Sequence, residues 1–175
     1  IELVRRGDSH WTLTRALGVI LKVCEAMAFA HDKQVIHRDL KPANVMVGRF
    51  GETYVMDWGL AKVLGADPIT HARNQSADAS MLSLLTTTRA EDPARGSASS
   101  DSTHDTMEGD VLGTPAFMPP EQARGRIDEM GPKSDVYSVG AMLYHLLAGR
   151  APFTSPDGRG TALGILERAM AGPTA

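Results

Sequence analysis

The sequence predicts a mainly α-helical α+β domain with one short β-hairpin. Three observations lead there. Apolar residues recur at helical spacing from Thr14 to about His31, and a second, more apolar helical run extends from Asp135 to Ala148. Between them lie two short β-rich runs, Val45-Met46-Val47 and Thr53-Tyr54-Val55-Met56. At 175 residues the chain is long enough for one compact domain with its own core.

In the first helix Leu17, Ile20, Cys24, Met27 and Ala30 mark the face expected to be buried, and Thr12 stands where an N-cap is needed. Cys24 is the one cysteine, so no internal disulfide can form, and it is expected to be a buried thiol in a reducing compartment. After Gln34-Val35-Ile36 comes a polar loop, His37 to Asn44. Gly48-Arg49-Phe50-Gly51-Glu52 reads as the hairpin connection. The segment from Ala66 to Gly109 has no aromatic residue and is crowded with Ser, Thr, Asp, Ala and Arg. It cannot bury enough apolar surface to offset its ordering entropy and is predicted to be a disordered insertion. Order is expected again from Val111-Leu112-Gly113. Ser134 is expected to cap the helix from Asp135 to Ala148, closed by Gly149 with Pro152 beyond. Val136, Val139, Met142, Leu143, Leu146 and Leu147 cover most of its circumference, the pattern of a central helix. A last amphipathic helix is predicted from Ala162 to Ala171, with Leu163, Leu166 and Met170 on one face.

Composition excludes several classes. A formal net charge of -3 provides no basic surface for nucleic acid. No run approaches the ~20 apolar residues of a membrane span, so a cytoplasmic chain with no membrane segment of its own is expected. The start, Ile1-Glu2-Leu3-Val4-Arg5-Arg6, has neither an initiator methionine nor a signal-peptide pattern, and reads as a chain entered partway.

The chemistry concentrates beside the short strands. Asp39 and Asn44 share one loop, and Asp57 directly follows the second strand. A hairpin returns the chain near its start, so Asn44 and Asp57 are expected to face each other. A carboxylate and an amide oxygen suit a hard cation such as Mg²⁺. Asp39 is then left to orient a hydroxyl and take its proton. Lys41 can set a positive charge against phosphoryl oxygens.

His37-Arg38-Asp39-Leu40-Lys41-Pro42-Ala43-Asn44 resembles the catalytic loop of the eukaryotic-type (Hanks-type) serine/threonine protein kinases, and Asp57-Trp58-Gly59 their metal motif. Gly113-Thr114-Pro115-Ala116-Phe117-Met118-Pro119-Pro120-Glu121 resembles the end of their activation segment, and Ser134-Asp135-Val136-Tyr137-Ser138-Val139-Gly140 their central helix. The phrasing is most similar to bacterial members. The resemblance covers nearly the whole chain outside the Ala66–Gly109 insertion, which falls within the activation segment.

The resemblance implies a protein-kinase-like α+β fold, with residues 1–175 forming a C-terminal lobe and the N-terminal lobe absent. It implies transfer of the ATP γ-phosphoryl group to Ser or Thr hydroxyls of protein substrates, with Mg²⁺, or Mn²⁺ in its place, as the metal. Asp39 is implied as the base, Lys41 as a phosphate contact, and Asn44 and Asp57 as metal ligands. Met46 is placed under the adenine ring and Thr114 beside Asp39 and Lys41. Arg38 is implied to pair with a phosphorylated activation-segment residue. Asp135 is implied to accept backbone N–H bonds from the His37–Arg38 turn, and Glu121 to pair with an arginine late in the lobe. Trp58 replaces the family's usual phenylalanine, and its N–H needs a partner. No G-x-G-x-x-G occurs in these residues, so the isolated chain is expected to be inactive without its own N-terminal lobe. The alternatives are a non-catalytic scaffold of the same fold, disfavoured by the intact Asp39, Asn44 and Asp57, and a small-molecule kinase, disfavoured by the Pro-Pro-Glu segment.

Overall fold

The computed structural model describes residues 11–65, 115–155 and 160–172. The predicted insertion at 66–109, and Thr114, lie outside the described residues. The chain opens with helix α1 (Leu13–Asp32), capped by the Thr12 side chain accepting from the Arg15 N–H. Strand β1 (Val35–Ile36) follows, then the polar loop, then β2 (Val45–Val47) and β3 (Thr53–Val55), then β4 (Lys62–Val63). Further along the chain come a 3₁₀ turn at Pro115–Phe117, the short helix α2 (Pro120–Ala123), the long helix α3 (Pro132–Ala148) and α4 (Ala162–Ala171).

The predicted hairpin forms, with Val45 opposite Val55, Met46 opposite Tyr54 and Val47 opposite Thr53. Its turn needs Gly51 at φ 90°, a conformation glycine adopts without a Cβ clash. Antiparallel pairing of β1 with β4 forms a second small sheet with no counterpart in the sequence reading. Two-residue strands have too short a pattern to show period-2 alternation.

The core collects where α1, the polar loop, the 3₁₀ turn, α3 and α4 meet. Val23, Met27, Ala30, Leu40, Ala116, Phe117, Ala141, Met142 and Ile165 form its largest cluster. Met118 and Ala123 pack against Leu166 and Ala169 in a second cluster, which fixes α2 on α4.

Sequence expectations for three helices are corrected. The buried residues of α1 are Ala16, Val23, Met27 and Ala30, while Leu17 and Cys24 are exposed. Apolar residues lie on several sides of this helix, so spacing alone allowed either face, and contact with α3 selects one. Helix α3 begins earlier than predicted: Gly131 is its N-cap, Pro132 occupies the first turn, and Ser134 sits inside, its hydroxyl accepting from the Gly131 N–H at 3.1 Å. Its buried residues include Ser138 and Ala141, whereas Val136 and Leu147 are exposed. On α4 the buried residues are Ile165, Leu166 and Ala169; Leu163 faces outward. The predicted Gly149 cap of α3 is present at φ 69°.

Candidate functional site

Construction of the site starts at the first turn of α3. Asp135 is 1% exposed, and a carboxylate so buried requires donors. One oxygen accepts the His37 N–H at 2.9 Å and the His31 Nε2 at 2.8 Å; the other accepts the Arg38 N–H at 2.9 Å. Its place near a helix N-terminus adds favourable dipole interaction. The start of the polar loop is thereby pinned to the central helix.

His37 is fully buried and extends the arrangement. Its Nδ1 accepts the Asp39 N–H at 3.2 Å, which leaves Nε2–H to donate to the Met56 carbonyl at 2.9 Å. The Met56 N–H in turn donates to the Asn44 carbonyl at 2.8 Å. Both ends of the polar loop are thus tied to the residue just before Asp57.

Within the loop, one oxygen of Asp39 meets the Lys41 ammonium at 2.9 Å and the Asn44 Nδ2 at 3.0 Å. Asn44 Nδ2 also donates to the Asp39 carbonyl at 2.8 Å. Asp39, Lys41 and Asn44 therefore form one cluster. The bonds of Asn44 run through its nitrogen, so its Oδ1 points to no protein donor among the described residues.

Asp57 is held differently. Its backbone is left-handed, φ 61° and ψ 67°, and its exposed carboxylate makes no hydrogen bond to the turn that follows. Arg38 is left-handed too, at φ 70°. Non-glycine residues in that region cost about 1–3 kcal/mol each and persist where surrounding contacts enforce them. Arg38 is buried, and its Nε–H donates to the Leu60 carbonyl. Trp58 donates its Nε1–H to the Val55 carbonyl at 2.9 Å and tilts against the His37 ring, centroids 4.6 Å apart. That bond supplies the N–H partner the sequence required.

The remaining predicted residues lie at the margins. Met46 is exposed on the hairpin opposite Tyr54. Glu121, partly buried, accepts the Ser134 hydroxyl at 2.6 Å. Burial first, then the charge of Glu121, raises the Tyr137 hydroxyl above its ordinary 10.0. Sequence reasoning left three participants without a role: His31, Gln122 and Ser134 in its contact with Glu121. Their partners lie 104, 84 and 13 residues away, so no local pattern marked them.

Among the described residues no cluster of three or more His, Cys, Asp and Glu side chains could hold a metal. Among the described residues no protein donor engages the Asn44 amide oxygen or the Asp57 carboxylate, and both are oxygen donors of the kind a hard cation takes.

A family model described as a protein kinase domain matches residues 3–78 and 96–171. The chain is 38% identical over 147 residues to the serine/threonine-protein kinase PknD of Protochlamydia amoebophila, covering 84% of this chain and 12% of that protein. It is 36% identical over 147 residues to the serine/threonine-protein kinase PknB of Mycobacterium tuberculosis, covering 84% of this chain and 18% of that one. A probable serine/threonine-protein kinase of Corynebacterium efficiens is 33% identical over 148 residues, 85% of this chain and 17% of its own. The chain thus spans less than a fifth of the length of these relatives.

Proposed function

The chain belongs to the protein kinase family, and on that premise we propose that residues 1–175 form the C-terminal lobe of a serine/threonine protein kinase. Members of the family use ATP and Mg²⁺. No helix among the described residues is long and apolar enough to cross a membrane.

The observation that carries the reading is the Asp39 carboxylate, held by Lys41 and Asn44 on a loop whose backbone is clamped to buried Asp135. Such clamping is what transfer by positioning requires. In the proposed reaction the substrate hydroxyl oxygen forms a bond to the γ-phosphorus as the bond to the ADP oxygen breaks. Asp39 orients the hydroxyl and takes its proton. Lys41, beside Asp39, sets positive charge against the phosphoryl oxygens. Asn44 and Asp57 are the residues that would hold Mg²⁺, which supplies charge neutralisation at the phosphates. In this reading Met46, exposed on the hairpin, is the residue that would meet the adenine. Thr114 and a phosphate partner for Arg38 belong to the same reading.

These 175 residues contain no glycine-rich loop of the G-x-G-x-x-G kind, so the phosphates would be covered by an N-terminal lobe. In a wet cleft the electrostatic terms weaken. The residues alone are therefore proposed to be inactive. The test is radiolabel transfer from ATP to a Ser/Thr peptide by the full-length protein and by its Asp39→Asn variant. The variant is expected to lose about 10²- to 10⁴-fold in kcat. A folded, phosphorylated full-length protein that transfers nothing would turn the balance to a scaffold role.

A further inference from the structure

The Arg38–Asp39 peptide carries the base, and its carbonyl has a partner from a distant segment. Gln122, 2% exposed, donates its Nε2–H to the Arg38 carbonyl at 3.0 Å. The other end of the same peptide is the Asp39 N–H, bonded to His37 Nδ1, and the preceding amide is bonded to Asp135. Arg38 stands at φ 70°, a conformation that reverts readily unless its flanking peptides are fixed. Rotation of this peptide swings the Asp39 side chain directly.

Gln122 comes from α2, immediately after the buried run Pro115–Pro119. Its neighbour Ala123, with Met118, packs on Leu166 and Ala169. The gap bordered by Arg38, Asp39, Phe117, Met118 and Gln122 is about 10 Å³, the threshold for a single water, so solvent is poorly placed to replace a missing donor. We propose that Gln122 is a positioning residue for Asp39, coupling the placement of the 115–123 segment to the catalytic loop. The catalytic half of this statement rests on the kinase reading; the positional half does not.

The test uses the full-length protein with Gln122→Met, which keeps length and bulk without a donor, and Gln122→Glu, which keeps shape but presents acceptors. Hydrogen exchange by mass spectrometry follows the peptide Ile36–Leu40 against peptides of α1. Both variants are expected to exchange about tenfold faster in Ile36–Leu40 alone, and to lose about tenfold in kcat, equivalent to about 1.4 kcal/mol, with KM for ATP within about twofold. Should the methionine variant fail to fold, the glutamate variant decides. Unchanged exchange at Ile36–Leu40, or a rise shared equally by α1, overturns the proposal. Faster local exchange in a protein whose parent transfers no phosphate supports the positioning role and removes the kinase reading instead.

Discussion

The two halves of the site are held in opposite ways. The His37–Asn44 loop is fixed by side chains from two other elements, Asp135 of α3 and Gln122 of α2, and Asp135 is itself braced by His31 of α1. The Asp57–Gly59 turn is fixed through its backbone and the Trp58 ring, while the Asp57 carboxylate is exposed and takes no hydrogen bond from the described residues. On the proposed kinase reading, in which Asp39 is the base and Asp57 a metal ligand, the difference separates two tasks. A base must be aimed before the substrate arrives, so its support is built into the core. A metal ligand must keep its lone pairs available, so protein donors there would compete with the ion.

The contrast breaks first at Asp135. Asp135→Ala would leave the His37 and Arg38 amides buried without an acceptor and His31 without its partner. We expect a loss of about 3–5 kcal/mol in urea unfolding. A loss below about 1 kcal/mol would mean that the clamp contributes little to the fold.

Trp58 bridges the halves, and its effect should be intermediate. Trp58→Phe removes the Nε1–H bond to Val55 and reduces the contact with His37 at a position 40% exposed. The expected cost is about 1 kcal/mol by the same measurement.

Asp57 should show the smallest effect on stability. Asp57→Asn keeps a side chain that tolerates the left-handed backbone and breaks no hydrogen bond among the described residues. Stability is expected within about 0.5 kcal/mol of the parent, while the phosphoryl transfer proposed for the full-length protein is expected to be lost. A large destabilisation would erase the distinction between an aimed half and an open half.

Sequence alone located the first and last helices, the Gly149 cap, the hairpin and its polar loop, because capping residues and apolar spacing act within a few residues of themselves. It also singled out Asp39, Lys41 and Asn44, which share one short loop and are brought together by it. What it could not settle was which side of a helix turns inward. Leu17 and Cys24 fit the helical period as well as Ala16 and Val23, and only packing against α3 chose between them. The Asp135 bonds to the loop backbone were implied only through the family resemblance, and the other supports were hidden. Gln122 reaches the loop across 84 residues of sequence and His31 braces Asp135 across 104, and hydrogen bonds at such separations exist only once the helices have packed. Ser134 reads as a helix cap and does serve the helix start, but its hydroxyl proton goes to Glu121, a partner that the approach of α2 to α3 supplies. Local chemistry is written in neighbouring residues; the aim of a catalytic group is set by the side chains that tertiary packing brings against its backbone.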